Sequence, residues 1–139
     1  MKLTLVPIGS ITGVLGPLLP HFESAAASTD GRYSADDILR DVLTGHFLLW
    51  VLHEDGYIRG HVTVSQVNYP QMKLLAIQYM GAEVGTLEKS EALIIETLEQ
   101  FAKDAGCVGM EWAGRPGWKP WAKKYGYTAK GVYQKRFEV

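Results

Sequence analysis

The sequence predicts an α/β (α+β) domain, a mixed, mostly antiparallel central sheet flanked by about four helices. Three observations carry this. Leu87, Ile94, Leu98, Phe101 and Ala105 recur at helical spacing and are closed by Gly106, which predicts one long amphipathic helix over Leu87 to Ala105. Two strand-like runs are joined by Asp55-Gly56, the strongest short hairpin signal. Ser34-Ala35-Asp36-Asp37 has the capping-box form that opens a helix.

From the N-terminus, Leu3 to Pro7 reads as a strand. Ser10 then caps a helix through Ile11, Val14, Leu15, Leu18 and Phe22, broken by Pro17 and Pro20. Ser24 to Arg32 is small and polar and reads as a loop. The capping box starts a short helix that buries Ile38, Leu39, Val42 and Leu43 and stops at Gly45. Phe47 to Leu52 is a continuous apolar run of strand length. In Tyr57 to Val67, Ile58, Gly60, Val62 and Val64 alternate with Arg59, His61, Thr63 and Ser65, so one face is expected in the core and the other wet or lining a site. Lys73 to Met80 and Cys107 to Trp112 are further strands, Trp118 to Tyr125 a short helix, and Tyr127 to Val139 a terminal hairpin turning near Lys130-Gly131.

With 139 residues, 47% of them apolar, the chain suits a single domain over 1-139. Its 14 Lys plus Arg against 15 Asp plus Glu leave a net charge of -1 with no basic stripe, which argues against nucleic acid as a partner. The single cysteine, Cys107, excludes an internal disulfide and suits a reducing compartment. Pro7, Gly9, Gly13, Gly16 and Pro17 interrupt the apolar N-terminal stretch, so it reads neither as a secretory signal nor as a membrane span. No membrane partner and a cytoplasmic location are expected. The four histidines and one cysteine lack metal-ligand spacing, so no metal is expected.

The order strand, two helices, three antiparallel strands, long helix, strand, short helix, terminal hairpin resembles the GCN5-related N-acetyltransferase (GNAT) superfamily over nearly the whole chain. Its most specific part is Gly106-Cys107 followed by Trp121-Ala122-Lys123-Lys124-Tyr125-Gly126-Tyr127, similar to the family's last helix, which closes on Gly and an aromatic residue. Glu111-x-x-Gly114-Arg115-Pro116-Gly117-Trp118 further resembles small members encoded by tailed bacteriophages, which would place the chain in a host cytoplasm. The resemblance implies a V-shaped cleft between the fourth and fifth strands. There the backbone of the fourth strand, including Ala76, Gln78 and Met80, would bind the pantetheine arm of acetyl-CoA, and the turn with Gly81, Ala82, Gly85 and Thr86 would present N–H groups to its pyrophosphate.

The sequence departs from the family in two places. The family's loop runs Q/R-x-x-G-x-G/A. Gln78-Tyr79-Met80-Gly81-Ala82-Glu83 matches its first four positions and ends in Glu, and alignment backwards from Gly106 puts the glycine positions on Lys89 and Glu91. Glu88 and Glu91 also stand near the helix end meant for phosphate, where each such charge is worth roughly 0.3–1 kcal/mol. Second, many family members carry a Tyr four residues before the Gly of the last helix, where this chain has Ala122. Tyr125 lies one turn away, about 5 Å along the axis.

Candidate catalytic residues are His61, whose ordinary pKa is near neutrality, the carboxylates Glu83 and Glu111, and Tyr125 as an acid. Arg115, with its backbone fixed by Pro116 and Gly117, and Trp118 are candidates for holding a substrate or partner. Trp112, Trp118 and Trp121 crowd one region and are expected mainly to pack the last helix on the sheet. Two functions follow. One is transfer of an acetyl group from acetyl-CoA to a primary amine of a small molecule or protein. The other is a transferase fold that acts by binding a host protein through the aromatic region.

Overall fold

The computed structural model describes residues 1–113 and 118–137. Gly114-Arg115-Pro116-Gly117, with the Arg115 candidate, lies outside them. Five strands form one sheet in chain order: β1 (Lys2–Leu5), β2 (Leu48–Glu54), β3 (Tyr57–Tyr69), β4 (Met72–Ala82) and β5 (Gly109–Trp112). All neighbours are antiparallel except β4 and β5, which run parallel. A 3₁₀ segment (Ile8–Val14) leads into α1 (Leu15–Ala27), followed by α2 (Ala35–Leu43), α3 (Thr86–Lys89), α4 (Glu91–Asp104) and α5 (Lys119–Lys124). The predicted mixed sheet with flanking helices is therefore present.

Each local signal has a visible cause. Asp55 and Gly56 both take positive φ, 52° and 80°, as a two-residue turn matching the twist of β2 and β3 requires. At α2, Ser34 accepts from the Asp37 backbone N–H and the Asp37 carboxylate accepts from that of Ser34, which completes the capping box. These bonds, the Ser34 backbone first, hold the Asp37 carboxyl below its usual pKa. Gly106, at φ 80°, ends the α4 region. Its N–H reaches the Lys103 carbonyl and that of Cys107 reaches Ala102, the paired bonds of a Schellman cap.

The sheet is covered on both faces. Trp50, Leu52, Val62, Val64, Leu75, Ile77 and Met80 face Ile94, Leu98 and Ala102 of α4. On the other face Leu49, Val51 and Tyr79 meet Leu18, Phe22 and Ala25 of α1 and Ile38 and Val42 of α2. Burying one such aliphatic or aromatic side chain stabilises by about 1.5–3 kcal/mol, so the two layers dominate the fold. This double cover explains the unbroken apolar run of β2.

Four expectations need correction. The helix over Leu87 to Ala105 is broken at Ser90 (φ -112°, ψ 6°), so α3 is a single turn and α4 starts afresh at Glu91. Ser24 to Ala27 belong to α1, because Ala25 is buried and the alanine run favours helix. The face of β3 bearing His61 and Thr63 is dry, since α1 lies over it and both residues are fully buried. No strand forms over residues 127–137, where Val132, Tyr133 and Phe137 are exposed; a hairpin without an apolar face to bury is marginal in water.

Candidate active site

β4 and β5 pair from Leu74↔Gly109 to Ile77↔Trp112 and then separate. Past that point β4 runs on to Ala82 with β3 on one side and, among the described residues, no strand on the other. The fork opens where β4 bulges. Ile77 pairs with Val64 and Tyr79 with Thr63, leaving Gln78 as the extra residue. The buried Thr63 hydroxyl holds the bulge in place: its Oγ1 accepts from the Tyr79 N–H at 3.1 Å and donates to the Tyr79 carbonyl at 3.3 Å.

On the α4 side the fork leads into a cleft of about 370 Å³ walled by Met80, Leu87, Trp118 and Trp121 and bearing Glu88, Glu91 and Lys124. Lys124 donates to Glu91 Oε1 at 2.8 Å, and that contact raises the Lys124 pKa. The Tyr125 hydroxyl points to the same oxygen at 3.4 Å. Glu83, the carboxylate that ends the loop pattern, is also paired, with Arg59 at 3.2 Å. Glu88 has no ion pair among the described residues.

The turn glycines have different reasons for being glycine. Gly85 caps α3 at φ 81°, a left-handed conformation. Gly81 is required by packing, because a Cβ there would lie 2.2 Å from the His21 carbonyl oxygen of α1. Ala82 lies against Gly60 of β3, and Thr86 is buried at the start of α3.

The opposite face of the sheet carries polar groups around the fork. Gln78 Nε2 donates to Ser65 Oγ at 2.7 Å. Glu111, paired with Ala76 one residue before the fork, faces away from the α4 layer that holds Met110 and Trp112. Its Oε1 accepts a 2.5 Å hydrogen bond from the Tyr69 hydroxyl, which raises the pKa of that phenol.

Among the candidates, the structure brings Met80, Trp118 and Tyr125 to one side of the fork, beside Glu91, and Gln78 and Glu111 to the other. His61 is corrected as a base. Its ring is fully buried, edge-on to Phe22 at 4.6 Å, and burial, only partly offset by the His21 backbone, pushes its pKa down to about 3. Trp112, Trp118, Trp121 and Tyr125 are half-buried and pack on one another, with Trp118 and Trp121 rings 5.9 Å apart. Sequence reasoning missed Lys124, although Trp121 and Lys124 at i, i+3 share a helix face. It also missed Tyr69, which lies 42 positions from Glu111 and left no local signal.

No protein-family model and no curated protein matches the sequence. Solved structures do match. A GCN5-related N-acetyltransferase from Ralstonia eutropha superposes with a TM-score of 0.68 at 17% identity, covering 98% of this chain and 97% of that one. An aminoglycoside acetyltransferase from an uncultured soil metagenomic sample, in complex with sisomicin, gives 0.69 at 14% identity over 99% and 95%. A predicted acetyltransferase from Clostridium acetobutylicum with acetyl-CoA gives 0.68 at 12% identity over 98% and 95%. The chain has the fold of the GCN5-related N-acetyltransferases.

Proposed function

We propose that the protein is an N-acyltransferase that moves an acetyl group from acetyl-CoA to a primary amine of a small molecule or protein. The observation that carries this reading is the fork, because a strand edge left unpaired in a folded sheet offers N–H and C=O groups to an extended ligand. The residues around it suit the coenzyme in part. The backbone of Gln78 to Ala82 would hold the pantetheine arm, Met80 and Trp121 supply apolar walls, and Lys124 is a cation within reach of a phosphate once Glu91 releases it. Acetyl-CoA, when bound, supplies a thioester whose acetyl carbon an amine can attack.

This chain's own residues then do the rest. Glu111, on the face of β5 turned away from α4 and beside the fork, takes a proton from the amine nitrogen as that nitrogen bonds to the acetyl carbon and the carbon–sulfur bond breaks, its electron pair leaving with coenzyme A as the thiolate. Tyr69 holds the carboxylate in position, and Gln78, anchored on Ser65, offers a second polar contact for the amine. Calorimetric titration with acetyl-CoA tests the reading, with saturable one-to-one binding expected and absence of heat and of thermal stabilisation overturning it.

A further inference from the structure

Where β4 leaves β5, the alternation of its side chains breaks. Ile77 and Met80 both pack in the layer under α4, whereas the two residues between them turn to the other face. Tyr79 is buried there beside α1 and α2, its ring 5.1 Å from that of Tyr33 and 5.7 Å from that of Phe47, and Gln78 reaches Ser65. Two consecutive residues on one face need an extra residue in a strand of period two, which is what the bulge supplies. The cleft side of β4 therefore carries no side chain between Ile77 and Met80, and bare peptide groups line the fork where the pairing with β5 ends.

A side chain of β3 keeps this arrangement. Thr63, fully buried beneath α1, answers both polar groups of the Tyr79 backbone with one hydroxyl, accepting from the N–H at 3.1 Å and donating to the carbonyl at 3.3 Å. We infer that Thr63 is a positioning residue for acyl transfer: from the face opposite the cleft, its hydroxyl sets the tilt of the Gln78 and Tyr79 peptides, and with it the bare edge along which the thioester lies. Being fully buried, Thr63 touches neither coenzyme nor amine and acts through β4 alone. A valine would fill the same space and deprive two buried backbone groups of this partner. The edge would then shift, and a displacement of about 1 Å at a reacting group costs up to about 100-fold in rate. The role in transfer rests on the fork being the acyl-transfer site; the hold on β4 does not.

Thr63→Val keeps the shape and loses both bonds, whereas Thr63→Ser keeps the hydroxyl and loses a methyl. Thiol release from acetyl-CoA with a mixture of butylamine, spermidine and polylysine reads transfer, calorimetry reads coenzyme affinity, and amide exchange at Tyr79 reads the hold on β4. Thr63→Val should lower kcat about 10- to 100-fold and speed Tyr79 exchange, with coenzyme A affinity within about twofold of the parent. Thr63→Ser should recover most of the rate although its denaturation midpoint also falls, so that rate follows the hydroxyl and not stability. Should Thr63→Val not fold, Thr63→Ala takes its place in the comparison. Parent-like kcat without the hydroxyl, or a Thr63→Ser as slow as Thr63→Val, overturns the positioning role. Saturable acetyl-CoA binding with no thiol release in the parent overturns it as well. Faster Tyr79 exchange in Thr63→Val, in a protein that binds no acetyl-CoA, keeps the hold on β4 and overturns the acyltransferase reading itself.

Discussion

Lys124 and Glu91 face each other across the mouth of the cleft at 2.8 Å, so the single cation on its wall, among the described residues, is held by a carboxylate at the first position of α4. Glu91→Gln therefore does two things: it removes a charge that repels phosphate and frees the lysine. Acetyl-CoA affinity should rise about two- to fivefold in low salt, and Glu88→Gln should add a similar factor. Lys124→Met should weaken binding. Calorimetry at two ionic strengths checks this, and unchanged affinity in all three variants would place the coenzyme's phosphates elsewhere.

Glu111→Gln keeps the shape and the acceptor oxygen but abolishes the proton sink. The expected outcome is a fall in kcat of about 100-fold or more with acetyl-CoA binding unaltered. Tyr69→Phe should give a smaller loss, because it frees the carboxylate without removing it. Steady-state rates beside titrations separate the two effects, and full activity in Glu111→Gln would exclude it as the base.

Gly81→Ala introduces a methyl 2.2 Å from a backbone oxygen of α1, where no flexible side chain can give way. Overpacking of this kind costs about 1–3 kcal/mol, and urea denaturation should show that loss with the m-value unchanged. A variant as stable as the parent would mean that α1 slides freely on β4.

Neutral burial of His61 makes stability depend on pH. The unfolded chain binds a proton near pH 6.5 and the folded chain only near about 3, so stability falls as pH drops through that window and levels off below it. By about pH 4.5 the loss amounts to roughly 2–3 kcal/mol. His61→Leu should flatten the slope between about pH 6.5 and 4, as measured by denaturation at each pH; an identical slope in the variant would assign it to other groups.

Much of this architecture is legible in local sequence because its signals are local. The Asp55-Gly56 turn, the Ser34 cap and the Gly106 stop each act within a few residues, and each is where it was expected. What is not legible depends on contacts between distant segments. Alternation along β3 cannot reveal that α1 lies over His61 and Thr63, and nothing near Glu111 points to Tyr69. The glycine at position 81 matched a phosphate-loop pattern, yet the packing that demands it comes from His21, sixty positions upstream. The break at Ser90 escaped for a related reason, since the apolar spacing persists through a single misaligned turn.

The Gly81–His21 contact has a mechanical corollary. β4 is tied to β3 by ten register pairs and pressed against the α1 backbone at Gly81, whereas β5 is joined to it over four. One arm of the fork is thus an anvil and the other a jaw. Any widening needed to seat or release a ligand falls to β5 with the aromatic stack of Trp112, Trp121 and Tyr127 behind it, which makes those indoles natural fluorescent reporters of that movement.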